Sequence, residues 1–375
     1  MDDRSSPSDR LSHFIHERFI WLLIGSYAVA SVLPGLGMAI RDVSFGEVHL
    51  LGEKTRLSLP MLMLAFLLFN AGLGVRTAQL RDLLRAPLAL IGGLVANLLI
   101  PIAFIFGVSQ MMRIWHNPDE VQNILVGLAL VASMPIAGSS TAWSQNANGN
   151  LALSLGLVLA STFLSPLTTP LALHSVGLMA RGEYAADLHE LAGSGTGGFL
   201  AICVILPSIL GIVSHMILGE ARVAAIKPRL KLVNSMILLV LNYSNASLSL
   251  PQAIANPDWD FLGVVLTITL GLCGLAFASG WMISRLMRVD ESQRTSLMFG
   301  LGMNNNGTGL VLAAMMLAGH PRVMIPIIFY NLVQHLVAGL VDHVAGRTPR
   351  PPASIPLPAI RLFAGLRSRR SPASE

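Results

Sequence analysis

Charge is scarce in this chain. Only 12% of its 375 residues are Asp, Glu, Lys or Arg, against roughly 25% in ordinary soluble domains. Hydrophobic residues make up 53%, and the mean hydropathy is +0.64. A globular core cannot absorb that much apolar surface, so a lipid bilayer must solvate much of it. The formal charge of +5 is small and scattered, which argues against nucleic acid as a partner. Cysteine is nearly absent: Cys203 and Cys273 lie in separate apolar runs, which excludes a disulfide framework or a zinc motif. The sequence contains no HExxH and no GxSxG, so the common hydrolase signatures are missing and no catalytic residue is assigned. The opening MDDRSSPSDRLSHF is polar and acidic, not a basic-then-apolar leader, so the first apolar run is expected to stay in the mature protein.

Long apolar runs are abundant. A helix needs about 20 apolar residues to cross the hydrocarbon core. That measure predicts ten spans: Phe19–Ile40, Leu57–Leu73, Pro87–Val108, Val121–Trp143, Leu151–Leu178, Phe199–Leu218, Leu232–Leu248, Phe261–Ile283, Ser296–Leu317 and Val323–Val344. Lys and Arg orient them, because they favour cytoplasmic loops. With both ends on one side, that side carries 19 basic residues and the other carries 6. Both termini are therefore expected in the cytoplasm, in a multi-pass protein of the plasma (inner) membrane. Residues 1–18 read as an N-terminal cytoplasmic segment. Residues 345–375, rich in proline and arginine, read as a disordered or leaflet-bound tail.

The ten spans fall into two sets of five, residues 19–178 and 199–344. The second span, with Asn70, resembles the seventh, with Asn242. Five is odd, so the second set enters the membrane from the opposite face, as in the inverted repeats of secondary transporters. Each set has a polar, broken helix in fourth place. The fourth span carries Pro135 and Gly138 followed by Ser139, Ser140 and Thr141. The ninth carries Gly300, Gly302, Gly307 and Gly309 around Asn304, Asn305 and Asn306. Irregular backbone survives at membrane depth only where protein or water covers it. Small polar residues also act as plain helix–helix glue, but these clusters are denser than packing requires. Half-helix N-termini suit an anion, and freed carbonyls suit a small cation.

At these residues the chain resembles the bile acid:sodium symporter family, from about Arg18 to about Val344. The run from Pro135 to Ser154 and on to Ser165-Pro166-Leu167-Thr168-Thr169-Pro170 is similar to the family's fourth-to-fifth-helix segment. Gly302-Met303-Asn304-Asn305-Asn306-Gly307 is similar to its ninth-helix Gly-Met-Gln-Asn-Ser-Gly. The resemblance implies an all-α protein with a panel domain (helices 1, 2, 6 and 7) and a core domain (helices 3–5 and 8–10). It implies alternating access and sodium-coupled uptake of a small organic anion, in a fold that works as a monomer. One sodium site would use Ser140, Thr141 and Ser154 with an acidic residue of the ninth helix. The other would use Asn97 and Asn304 with backbone oxygens at Gly300, Leu301 and Met303. The anion would lie at Thr141 and Asn305, reached by Gln334 and His335. No cofactor is expected besides sodium as coupling ion.

This chain departs from the family at several of those positions. The shared acidic ligand falls at Gly300, a fifth-helix hydroxyl falls at Val158, and no Asp or Glu lies deep in any predicted span. Neutral oxygens still bind a monovalent ion, so sodium coupling stays open beside proton coupling through His335. Arsenite export needs a cysteine on the broken fourth helix, where this chain has serine and threonine. A membrane sensor that keeps the site without transport is a further alternative, as is an enzyme built on a Ser139 or Ser140 dyad with His335.

Overall fold

The structure, a computed structural model, describes residues 18–50, 53–75 and 87–346. The N-terminal segment to residue 17, the basic loop with Arg76, Arg81 and Arg85, and the tail from residue 347 lie outside the described residues.

The first predicted span is not one helix. Helix α1 (Phe19–Val32) and helix α2 (Pro34–Asp42) meet at a bend of 91°. Pro34 has no N–H to continue the ladder and pushes the residue before it out of the helical region. Leu33 accordingly sits at φ −124°, ψ 64°, and Pro34 opens α2 at a position that suits proline. A hairpin absent from the sequence reading follows: β1 (Ser44–Leu50) pairs antiparallel with β2 (Glu53–Ser58), and a bulge between Ser44 and Glu47 bends it. Gly46 lies inside that bulge at φ +104°, a conformation that costs other residues dearly.

Helices α3 (Leu59–Leu73), α4 (Pro87–Met111) and α5 (Pro118–Ser133) come next, then the short α6 (Ser139–Asn146) and α7 (Leu151–Gly177). Asn117 caps α5 by accepting from the Asp119 N–H, and Asp119 and Glu120 in its first turn complement the helix dipole. Past the surface helix α8 (Glu183–Glu190), α9 (Thr196–Leu200) and α10 (Leu206–Leu218) form one apolar run widened by a π turn at Ala201–Ile205. Helix α11 (Glu220–Ala246) starts well before the predicted Leu232, so Arg222, Lys227, Arg229 and Lys231 lie on a helix and not in a loop. The short α12 (Leu250–Ala255) leads to α13 (Trp259–Leu286), α14 (Glu291–Gly302), α15 (Asn306–Met316) and α16 (Met324–Gly346).

Among the described residues, α4, α7, the α9–α10 run, α13 and α16 are each long and apolar enough to cross a bilayer, and the bent α1–α2 pair makes a sixth. The packing is that of a membrane protein. Leu88, Ile91, Val95, Leu99 and Phe106 lie exposed along one face of α4 at helical spacing. Ser140, Ser154, Asn242, Asn304 and Gln334 are buried. Apolar faces turned outward, around a core that buries polar side chains beside its apolar ones, depart from the soluble pattern. Helices α3 and α10 touch backbone to backbone: a Cβ on Gly72 would lie 2.1 Å from the Ser208 carbonyl oxygen, and one on Gly211 would lie 2.0 Å from that of Phe69. The fold is an all-α, multi-pass membrane architecture with one small hairpin.

Candidate functional site

Helix α5 stops at Ser133 because Pro135 has no N–H for the Val131 carbonyl. Five residues separate it from α6, and helix α14 also ends, at Gly302 and without a proline, before α15 begins at Asn306. The two breaks cross and pair as a minimal antiparallel bridge, Ile136 opposite Asn304. Ala137 N–H donates to the Met303 carbonyl at 2.9 Å, and Asn305 N–H donates to the Pro135 carbonyl at 2.9 Å.

Buried backbone groups must find partners, and those freed here can be followed one by one. The Val131 carbonyl accepts from Asn304 Nδ2 at 2.9 Å, and the Ser133 carbonyl accepts from the Thr169 hydroxyl at 2.6 Å. The Ile136 N–H donates to Ser161 Oγ at 3.0 Å. Across the bridge, Asn304 N–H donates to Gln334 Oε1 at 3.1 Å, and the Gly302 carbonyl accepts from the Tyr330 hydroxyl at 3.3 Å. Asn305 caps α15 by accepting from the Thr308 N–H at 3.3 Å. One consequence concerns oxygen. In a continuous helix the N–H groups of Asn304 and Asn305 would serve the Gly300 and Leu301 carbonyls. Both are committed elsewhere, so those two carbonyls lose their helical donors.

Several buried side-chain oxygens also lack a partner: Asn97 Oδ1, Ser140 Oγ and Asn304 Oδ1. Such groups are costly unless something polar meets them. Ala96, next to Asn97, belongs to one apolar cluster with Ile136, Leu153, Leu157, Leu297 and Leu301, which places α4 beside the breaks. Ser154 and Thr141 sit together, with their hydroxyls 3.3 Å apart. Of the sequence-predicted set, Asn304 and Gln334 are joined at the crossing, Thr141 and Ser154 pair with each other, and the members stand in unequal states. Gln334 is fully engaged, since its Nε2 donates to Asn331 Oδ1 at 3.3 Å while its Oε1 holds the Asn304 N–H. His335 lies edge-on to Phe19, ring centres 5.8 Å apart.

At Gly300, where the resemblance led to the expectation of an acidic ligand's counterpart, hydrocarbon fills the space. A Cβ on Gly300 would lie 2.9 Å from Leu157 Cδ1, and one on Gly93 would lie 2.7 Å from Leu157 Cδ2. One buried leucine thus occupies the hollows of two glycines.

The sequence reading missed Ser161, Thr169, Tyr330 and Asn331 as site residues. Thr169 was within reach, since it lies in the quoted Ser165–Pro170 motif. Asn306 and Thr308 also bury side-chain polar atoms without partners.

A second polar cluster lies at the start of α5 and α13. His116, Glu120 and Asp260 bring possible ligand atoms within 4.8 Å of one another. Each of its members already has a partner, however. Glu120 accepts from Trp115 Nε1 and Asn117 Nδ2, each at 2.7 Å, and His116 pairs with Asp260 at 3.2 Å. Asp258 beside them is raised above the usual carboxylate range, mainly by its hydrogen bond with Asp260 and then by burial.

Similarity to known proteins agrees with this geometry. The chain is 27% identical over 285 residues to the uncharacterized protein YbaS of Bacillus subtilis (strain 168), covering 76% of this chain and 87% of that one. It is 25% identical over 307 residues to YocS of the same organism, described as an uncharacterized sodium-dependent transporter, covering 81% and 84%. Residues 61–255, more than half of the chain, match the sodium bile acid symporter family. A multi-pass membrane protein with two broken, crossing helices and this match over more than half of its length belongs to the sodium bile acid symporter family.

Proposed function

We propose that this protein is a secondary active transporter that moves a small organic anion by alternating access, coupled to sodium. The single observation that carries the reading is the set of unpartnered oxygens at the crossing. These are Asn97 Oδ1, Asn304 Oδ1 and Ser140 Oγ, with the Gly300 and Leu301 carbonyls whose helical donors are used elsewhere. Sodium is a hard ion that neutral oxygens can hold. Ser154 and Thr141 complete the first candidate group; Asn97, Asn304, Gly300, Leu301 and Met303 form the second. The name of YocS as a sodium-dependent transporter supports the same ion. With leucine where the acidic ligand would stand, the bound anion itself supplies the countercharge, which makes ion and substrate binding strongly cooperative. The anion lies at Thr141 and Asn305 near the start of α15, with His335 beside it.

The architecture proposed with this function is ten spans in two inverted sets of five, divided into panel and core. Both termini face the cytoplasm, and the protein works as a monomer. The test is thermal stability of the purified protein across a sodium series, with choline holding ionic strength fixed. A ligand bound only to the folded state adds about 2.7 kcal/mol at a hundredfold excess over its Kd. The expected result is a sodium-specific rise that disappears in Asn97→Ala and in the Asn97→Ala/Asn304→Ala pair. A rise that survives in both variants would remove these residues from the site. No sodium effect even with a bound organic anion would end the sodium reading and turn attention to proton coupling at His335.

A further inference from the structure

A continuous hydrogen-bonded chain runs from the crossing to the α1–α11 pair, and all of its donors point one way. Asn304 N–H donates to Gln334 Oε1 at 3.1 Å. Gln334 Nε2 donates to Asn331 Oδ1 at 3.3 Å. Asn331 Nδ2 donates to the Tyr27 hydroxyl at 2.8 Å and to Asn242 Oδ1 at 3.1 Å. The Tyr27 hydroxyl donates to the same Asn242 oxygen at 3.0 Å, and Asn242 Nδ2 ends the chain on the Leu238 carbonyl at 2.7 Å. Tyr27, Asn242, Asn304, Asn331 and Gln334 are all buried.

We propose that Tyr27, Asn242 and Asn331 form a latch between the α1–α11 pair and the helix crossing, and that an anion accepting from the Asn304 N–H releases it. The inference rests on the transport reading above, in which α1 and α11 belong to one moving unit and α14–α16 to the other. Two of the bonds, both from Asn331, join those units directly. Amide polarity links them to the site. If the Asn331 amide turned over, its NH2 would face the Gln334 NH2. Gln334 would then have to turn as well and present a donor to the Asn304 N–H. Bonds in such a polarised chain reinforce one another in a low-dielectric interior, so the chain favours being wholly made or wholly broken. An anion that takes the Asn304 N–H replaces Gln334 as its acceptor, frees the Gln334 carboxamide, and so loosens Asn331 from Tyr27 and Asn242. Occupancy at the crossing and separation of the two units then share one switch.

The test is hydrogen–deuterium exchange of the full chain in lipid nanodiscs, read on the segment 300–308. Tyr27→Phe removes one hydroxyl and keeps the ring. It is expected to speed exchange of the Asn304 amide about fivefold, the factor set by one hydrogen bond of ordinary strength. Asn331→Leu is expected to speed it at least as much. The double variant should match Asn331→Leu alone, because the Tyr27 hydroxyl reaches the crossing only through Asn331. If 300–308 exchanges as in the unmodified protein in both variants, while 238–245 alone responds, the bonds are local packing and the latch is refuted. The same segment read in sodium and in choline separates this idea from the coupling-ion reading. A Tyr27→Phe effect without sodium protection keeps the latch and removes sodium, and the reverse removes the latch.

Discussion

Restoring a carboxylate at Gly300 is the sharpest perturbation of this site. Gly300 lies in the last turn of α14, and its missing side chain is replaced by Leu157 Cδ1, 2.9 Å from where a Cβ would stand. Leu157 cannot simply swing away, because its other methyl fills the hollow at Gly93. Gly300→Ala should therefore gain about 0.5–1 kcal/mol of helix preference and lose about 1–3 kcal/mol to overpacking. The net is a loss near 1–2 kcal/mol, the same in sodium and in choline. Gly300→Glu adds a buried carboxylate, and an uncompensated buried charge costs a further 3–5 kcal/mol or so. If the Gly300 and Leu301 carbonyls and Asn304 Oδ1 border a cation site, sodium at a hundredfold excess over Kd should return about 2.7 kcal/mol of that loss. Choline should return none. Adding Leu157→Ala makes room for the carboxylate, so the pair should be less damaging than the sum of its parts. The assay is melting of the helical circular-dichroism signal for each variant in both salts. Equal destabilisation by Gly300→Glu in sodium and choline would refute the placement of a cation beside Gly300.

Two structural predictions accompany it. Gly72→Ala or Gly211→Ala should destabilise the protein by several kcal/mol, since the new methyl meets a backbone carbonyl that cannot rotate away. Gly25→Ala, with open space around it, should melt like the parent or slightly above it. Thr169→Val leaves the buried Ser133 carbonyl without its 2.6 Å donor and should cost about 1–3 kcal/mol in the same melting assay, whereas Thr168→Val on the exposed face should cost little.

The two breaks were legible in the sequence because proline and clustered glycine act locally. Pro135 ends α5 wherever the rest of the chain lies. The same local rule would have revealed the bend at Leu33–Pro34, but the apolar residues on both sides of it hid the proline inside a long hydrophobic window. The early start of α11 was hidden for the opposite reason. Arg, Lys, Ala and Leu between residues 220 and 231 favour a helix, yet hydropathy registers only their charge. The partners at the crossing were legible as residue types and not as contacts. That Asn304 would serve the Val131 carbonyl, or that Gln334 would be consumed by the Asn304 amide, depends on chain segments far apart in sequence. Asn331 and Tyr27 carried no local signal at all, since one asparagine or tyrosine in an apolar helix has many uses.

The bridge between Ile136 and Asn304 also sets a timetable for making the protein. The carbonyl of Val131 waits for a donor 173 positions further along the chain. At a synthesis rate of roughly 5–20 residues per second, that donor leaves the ribosome about 10–35 seconds later. During that interval the first half sits in the bilayer with an open break at which the Val131 and Pro135 carbonyls and the Ala137 N–H still lack their partners, a state that lipid tolerates poorly. Water, the translocation machinery or a chaperone must cover the gap until the second half arrives, which makes the break between α5 and α6 the point at which a slowed ribosome or a truncated message is most exposed to degradation.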